Sequence, residues 1–104
     1  MRSIVGVIKL MIEKYYVYIL KSVQTGRFYI GSGQDVNDRL DHHNRGSVFS
    51  TKRFRPYIIA FQQEFASKTA ARKVELRLKR LKRKDYIEKI IQEKRIRLAE
   101  NILK

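Results

Sequence analysis

Two stretches rich in β-branched and aromatic residues lie near the start of the chain, at residues 15–20 and 28–30. Polar residues and the pair Thr25-Gly26 separate them, so the pattern predicts two strands joined by a turn. In such a hairpin we expect Tyr18 to lie near Tyr29, so that two phenols project from neighbouring strands. Tyrosine is also simply a good strand residue, so the pair alone does not establish a site.

Apolar residues recur at helical spacing in three later segments. Asp35 is a good N-cap for a helix that opens after the Gly-Ser-Gly turn and runs to about residue 44, with a buried side formed by Val36 and Leu40. Ser67 caps a second helix, residues 68 to about 84, whose buried stripe is Ala71, Val74, Leu78 and Leu81. Asp85 and Glu88 predict a capping-box start to a final helix with an apolar side of Tyr86, Ile87, Ile90 and Ile91.

Residues 57–65 resume strand character between the first two helices. The nearly unbroken apolar run at 58–61 is typical of a central strand covered on both faces, and we expect this strand beside the first. The predicted order is strand, strand, helix, strand, helix, helix. This order predicts an α/β fold of mixed α+β type, with a small three-stranded sheet flanked by helices. A chain of 104 residues has room for one domain with one modest core.

The charge of the chain indicates its partner. Twenty-four Lys and Arg against ten Asp and Glu give a formal charge of +14, and residues 66–104 alone carry 14 basic and five acidic side chains. This excess predicts a polyanionic partner, with nucleic acid favoured over an anionic membrane. The chain has no cysteine, which excludes disulfides and thiolate metal sites and fits a cytoplasmic protein. Nothing in the sequence indicates a protein partner.

The N-terminal residues 1–13 are expected to be a dispensable extension, with an added edge strand as the alternative. Their apolar run is too short for a signal peptide or a membrane span, Lys9 interrupts it, and no small-residue cleavage site follows. The folded domain is expected at residues 14–92. Residues 93–104 form a basic tail for which we expect a helical conformation.

Three polar residues on the predicted helices are candidates for chemistry. Arg39 and His43 are four residues apart and share a helix face, whereas His42 lies off it. Glu75 is the only acid between Glu64 and Asp85 and borders the buried stripe. Each has a plain alternative: a solvated helix charge for Arg39, a surface histidine for His43, and an exposed ion-pair partner of Lys79 for Glu75.

The tripeptides Tyr16-Val17-Tyr18 and Tyr29-Ile30-Gly31 resemble the paired motif of the GIY-YIG nuclease family. The chain is similar to the small stand-alone bacterial branch of the UPF0213 type, over roughly residues 14–91. Arg39, His43 and Glu75 follow in the order of the family. Tyr16 replaces the usual first glycine, and the late asparagine of larger members is not assigned, because no motif surrounds Asn101.

The resemblance implies a metal-dependent endonuclease that hydrolyses phosphodiester bonds, in DNA, during repair or processing. Glu75 would hold Mg²⁺ or Mn²⁺, and Arg39 would bind the scissile phosphate. Tyr18 or Tyr29 would orient or deprotonate the attacking water, with His43 as relay or acid. A phenol of ordinary pKa, about 10, is a poor base at neutral pH, so Arg39 and the metal would have to lower it.

The expected nucleic-acid contacts are basic residues of the loop at 44–56 and of the second helix: Arg45, Lys52, Arg53, Arg55, Arg72, Lys79, Lys82 and Arg83. The same loop contains Phe49 and Phe54, each of which either stacks on unpaired bases or anchors the core. Two alternative functions stay open. One is a non-catalytic nucleic-acid-binding module with the same fold, and the other is a structural RNA-binding protein in which the tyrosines and Glu75 are incidental.

Overall fold

A computed structural model of the chain describes residues 14–96. Three strands and three α-helices follow one another in the order β1 (Tyr15–Ser22), β2 (Phe28–Gly33), α1 (Val36–Asn44), β3 (Tyr57–Phe65), α2 (Lys68–Leu81) and α3 (Lys84–Glu93), with a 3-10 turn at Lys52–Phe54. The predicted mixed α+β fold and its element order are confirmed. The predicted extension at 1–13 and residues 97–104 of the predicted tail lie outside the described residues.

The three strands form an antiparallel sheet in the order β2-β1-β3, so β1 is its central strand. β3 lies beside β1 as predicted. The prediction that the apolar run of β3 marks a central strand is wrong for the sheet formed by residues 14–96, because β3 is an edge strand of that sheet and Ile58 is 52% exposed. The four consecutive buried residues of the sheet are instead in β1, at positions 17–20.

The β1–β2 hairpin brings Tyr18 near Tyr29, as expected. Tyr18 lies opposite Gly31, and Tyr29 lies opposite Leu20, so the two tyrosines are diagonal neighbours on one face. The loop sets this register: Ser22 N–H donates to the Arg27 carbonyl, and Gly26 N–H donates to the Ser22 carbonyl. Gly26 supplies the positive φ of 75° that this turn requires.

Each face of the sheet packs its own hydrophobic cluster. Val17 and Ile19 face α2 and α3, where Val74, Leu78 and Ile90 complete the larger cluster. Tyr18 and Leu20 point the other way and pack with Val36 of α1 and Tyr57. The alternation of side chains along a strand thus assigns successive β1 residues to two different layers.

The two predicted N-caps are confirmed at α1 and α2, where Asp35 and Ser67 accept hydrogen bonds from the backbone N–H of Asp38 and Ala70. α2 ends at Leu81, because Lys82 adopts the left-handed conformation (φ 48°). The predicted capping box of the last helix is wrong. Arg83 is the N-cap residue of α3, without a side-chain cap, and the Asp85 carboxylate instead accepts from the Arg83 guanidinium.

The chain turns back onto the sheet after α3 ends at Glu93. Lys94 is left-handed (φ 57°), and the Ile96 N–H donates to the side-chain oxygen of Gln63 at 2.9 Å. Ile96 is fully buried in the larger cluster. Residues 94–96 are therefore packed and non-helical. Within residues 14–96, no helix has the length and apolarity needed to cross a bilayer.

Candidate active site

The predicted site residues meet at the edge of the sheet that β2 forms. Ser32 of β2 lies opposite Val17 and so shares the face that α2 covers, while Tyr29 belongs to the cluster on the α1 face. Groups from both layers come together across this strand: Lys79 of α2 lies 5.8 Å from the centroid of the Tyr29 ring. The strand thus joins the tyrosines of one layer to the acidic residue of the other.

Glu75 is buried, with 3% of the residue exposed. Its Oε1 accepts from the Ser32 hydroxyl and from Arg72 at 3.3 Å, and its Oε2 accepts from Lys79 at 2.6 Å. Burial alone would raise the pKa of Glu75, but the hydrogen bonds from Lys79 and Ser32 and the nearby positive charges outweigh it and lower that pKa. Glu75 therefore does form an ion pair with Lys79, but it is buried, so the alternative that Glu75 is an exposed surface charge is wrong.

Tyr18 is 3% exposed and packs against the backbone of Gly31. A Cβ atom at position 31 would overlap the phenol ring, so the glycine leaves the space that Tyr18 occupies. Burial, reinforced by Tyr29 and Glu75, raises the pKa of Tyr18 to about 12, although the charge of Arg39 opposes this. The charge of Arg39 alone therefore does not lower the pKa of this phenol, and Tyr18 is protonated at neutral pH.

His43 lies in the interior rather than on the surface, with 2% of the residue exposed. Its ring contacts Tyr29, with the two centroids 4.4 Å apart, and its Nδ1 lies 2.7 Å from the Thr51 hydroxyl oxygen. Burial, with the charges of Arg39 and His42, lowers the pKa of His43, so the imidazole is neutral at pH 7. His42 lies outside this group and pairs with Asp38 at 3.4 Å.

Thr51 is a member of the site that sequence reasoning missed. It is 2% exposed, and its hydroxyl lies 3.3 Å from the Val48 carbonyl, to which it donates. In the tautomer that carries its proton on Nδ1, the same hydroxyl oxygen accepts from His43 Nδ1–H, and Nε2 has the lone pair of the neutral ring. Thr51 stands in a loop with two other hydroxyl residues, Ser47 and Ser50, and no sequence pattern distinguishes it from them.

Arg39 is exposed on α1 and extends over Gly33, where an added Cβ would lie 3.3 Å from its Nε. Its charge acts on the pKa of both Tyr18 and His43, which places the guanidinium near both side chains. No carboxylate of residues 14–96 pairs with it. Arg39 thus presents an uncompensated cation beside the buried tyrosine and histidine.

Two cavities flank Glu75. The smaller, of about 530 Å³, is lined by Ser32, Arg39, Lys68 and Arg72 among others. The larger, of about 580 Å³, is lined by the site residue Tyr29 and by three of the expected nucleic-acid contacts, Lys79, Lys82 and Arg83. Of the remaining expected contacts, Arg53 lies over the Phe54 ring, while Arg45, Lys52 and Arg55 are exposed residues that line neither cavity.

Glu75 is the residue of this site that could hold a divalent cation. Residues 14–96 contain no group of three or more His, Cys, Asp or Glu side chains placed to hold a metal. Mg²⁺ does not require such a group, because it keeps several waters and is held by one or two carboxylates together with substrate phosphates. Glu75 supplies one carboxylate, and Lys79 and Arg72 contact it in this structure.

Residues 14–96 match the family model of the GIY-YIG catalytic domain. A UPF0213 protein of Staphylococcus epidermidis (strain ATCC 12228) is 37% identical over 82 residues, which cover 78% of this chain and 98% of the relative. A UPF0213 protein of Staphylococcus aureus (strain Mu3) is 37% identical over 68 residues, which cover 64% of this chain and 82% of that protein. The family match spans all the described elements and every residue of the candidate site.

Proposed function

The chain belongs to the GIY-YIG nuclease family, and from this premise we propose that it is a divalent-metal-dependent endonuclease that hydrolyses phosphodiester bonds of DNA. The observation that carries the proposal is the convergence of an unpaired arginine, a buried carboxylate and a neutral histidine around two tyrosines at the β2 edge. The family uses nucleic acid as substrate and divalent metal ions as cofactors. The charge of +14 agrees with a phosphate-rich partner.

Arg39 binds the non-bridging oxygens of the scissile phosphate in this scheme. A guanidinium offers two parallel N–H donors to a phosphate, and no acidic residue of the described chain competes for them. Charge builds up on these oxygens when water attacks the phosphorus atom. Hydrogen-bond donors already aimed at these oxygens stabilise that charge and so lower the barrier.

Tyr18 acts as a hydrogen-bond donor that positions the attacking water or the phosphate. Its pKa of about 12 makes the phenol a poor base at neutral pH, although it remains a good donor. His43 is the group suited to accept a proton, because it is neutral and Thr51 holds its Nδ1–H. Tyr29, in contact with the His43 ring, orients that imidazole and forms a wall of the larger cavity.

Glu75 would hold the metal ion, with Mg²⁺ or Mn²⁺ as the ion that fits a single carboxylate and phosphate oxygens. The ion, when bound, neutralises charge on the phosphate and on the leaving oxygen. The lowered pKa of Glu75 keeps this carboxylate ionised and ready to coordinate over the whole neutral range. Lys79 and Arg72 compensate its charge when no ion is present.

A non-catalytic nucleic-acid-binding module is the second candidate, and one observation favours it. Both carboxylate oxygens of Glu75 are already bonded to Ser32, Arg72 and Lys79. Such a network also explains the residue as a structural ion pair that needs no metal. The two candidates differ in one measurable property, which is cleavage.

The test is a nicking assay on supercoiled plasmid and on single-stranded DNA, with magnesium or manganese against EDTA. Wild type should cleave only with the metal, and Arg39→Ala and Tyr18→Phe should each reduce the rate at least about a hundredfold, the usual scale for such groups. Arg77→Ala, which removes an exposed arginine of α2 outside both cavities, is the matched control. Equal nicking by wild type and both site variants would identify a contaminating nuclease and favour the binding module.

A further inference from the structure

We propose that the larger cavity is a binding site for one unpaired nucleobase adjacent to the scissile phosphate, so that the substrate is a strand with unpaired nucleotides at the cleavage point. The inference rests on the proposed function, because it takes the β2 edge as the place where the strand is cut. It adds the class of substrate, which the family and the charge of the chain leave open.

The walls of this cavity suit an aromatic heterocycle. Its volume of about 580 Å³ lies within the range of small-molecule sites, and its lining includes the apolar side chains of Ile30, Leu78 and Ile87. Tyr29 and Phe54 are half-buried rings that line the same space. A channel that only followed a phosphate backbone would need cations and no such apolar lining.

Phe54 carries a stack of planar groups at the wall of this cavity. The Arg27 guanidinium lies 4.2 Å from the centroid of the Phe54 ring, and Arg53 lies 5.6 Å from it. Planar guanidinium groups and aromatic rings are the surfaces on which unpaired bases stack, and every base has a π-face for them. Arg27 lines the cavity together with Phe54, so a base can stack on this pair from inside.

The cavity is connected to the proposed reaction centre through Lys79. This residue lines the cavity, lies over the Tyr29 ring and donates to Oε2 of Glu75 at 2.6 Å. The Oε1 side of the same carboxylate contacts Arg72, which lines the smaller and more polar cavity with Arg39 and Lys68. A DNA strand that passes over Glu75 therefore meets a polar cavity suited to phosphates on one side and an apolar cavity suited to a base on the other.

Base pairing and stacking keep the faces of a base in a duplex covered, so only an unpaired or extruded base can enter a cavity of this kind. Lys82, Arg83 and Lys84 also line the cavity and can hold the phosphates next to such a base. The arrangement matches a flap, a gap or a single strand, and it does not match a continuous duplex.

Binding, measured without cleavage, separates this inference from the proposed function. Full-length protein in EDTA is titrated with a 12-nucleotide DNA strand in which one position at a time is abasic, and with the matching duplex. Loss of the base at one or two adjacent positions should weaken binding about fivefold or more, the scale of one base stack, and the single strand should bind more tightly than the duplex. The chain has no tryptophan, so the fluorescence of a single 2-aminopurine placed at the sensitive position can be read directly.

Arg27→Ala should abolish the quenching of this 2-aminopurine and the abasic-site effect, because it removes the platform on Phe54. Arg77→Ala, with the same change of charge on a surface away from both cavities, should weaken binding without changing either signal. Equal affinity at every abasic position, tighter binding of the duplex, or identical behaviour of the two arginine variants would each overturn the base site. None of these results depends on whether the protein cleaves DNA.

Discussion

Gly31 lies opposite Tyr18 in the hairpin, and the ring of Tyr18 fills the space that a side chain at position 31 would occupy. The contact is between a side chain of β1 and the backbone of β2, so it fixes the position of the phenol relative to the edge strand. Packing therefore explains the glycine of the second tripeptide motif, because any larger residue at position 31 would displace the Tyr18 ring.

Gly31→Ala is expected to reduce cleavage strongly and stability moderately. The new methyl group would overlap the Tyr18 ring, and relief requires the phenol or β2 to move, at a cost of about 1–3 kcal/mol of unfolding free energy. Cleavage should fall to about the level of Tyr18→Phe. The rate measurement is a double-mutant cycle: if Gly31→Ala acts through the phenol, adding it to Tyr18→Phe should cause little further loss. Fully additive losses would show that the glycine affects the site by another route.

Thr51→Val is expected to lower kcat about tenfold or more while leaving KM nearly unchanged. Valine has almost the same shape, but it leaves the buried Nδ1–H of His43 without an acceptor and no longer selects the tautomer. Thr51→Ser retains the hydroxyl and should restore most of the rate. If serine and valine behave alike, the role of this residue is packing and not orientation of the imidazole.

The pH profile of kcat gives a second check on His43. Burial lowers the pKa of this imidazole below its usual 6.5, so the neutral form that accepts a proton persists at pH 7 and is lost only in more acidic solution. The acid limb of the wild-type profile should therefore lie below pH 6.5, and His43→Ala should remove it. An acid limb that stays in place in His43→Ala would assign the proton transfer to another group.

Glu75 is expected to make the stability of the domain sensitive to acid. Its folded-state pKa is lowered, so the unfolded chain binds the proton more readily and the stabilisation is fully present above pH 4.5. It is lost as the pH falls from 4.5 through the lower pKa of the folded state. Urea unfolding of wild type and Glu75→Gln over this interval should show a difference that shrinks towards acid. A constant difference would mean that the carboxylate does not titrate with a lowered pKa.

The fold was accessible from the sequence because local signals decide most of it. The apolar run of β1, the caps at Asp35 and Ser67 and the helical spacing of Ala71, Val74 and Leu78 all agree with the structure. The hairpin register was not accessible, since hydrogen bonds within the turn at residues 22–27 determine it. The two tyrosines share one face of the sheet, because Tyr29 lies opposite Leu20 and Leu20 is two residues from Tyr18 in β1.

The site was only partly accessible. Spacing placed Arg39 and His43 on one helix and Glu75 beside a buried stripe, but it contained no information on the environment of each group. The burial of His43 and the raised pKa of Tyr18 arise from tertiary packing. Thr51 reaches His43 through a loop fold that no local pattern specifies. Phe54 packs against the domain, whereas Phe49 is 94% exposed, a distinction between two similar loop residues that the sequence left open.

Glu75→Gln, assayed for cleavage and for DNA binding in parallel, tests whether Glu75 holds the metal ion. The amide keeps the shape of the side chain. Its oxygen can still accept from Lys79, and its NH2 group can donate to the Ser32 hydroxyl oxygen, so the protein should stay folded. Because an amide is a far poorer ligand for a hard cation, cleavage with magnesium or manganese should collapse. Removal of a negative charge beside the phosphate should leave binding in EDTA unchanged or tighter.

The matched control is Glu64→Gln, which alters a glutamate that is also ion-paired but half-exposed, at the far edge strand. This variant should cleave as wild type does. The account predicts a folded Glu75→Gln protein that binds DNA at least as well as wild type and does not cut it. Full metal-dependent cleavage by Glu75→Gln would show that Glu75 does not hold the metal ion and is only a structural ion-pair partner of Lys79 and Arg72.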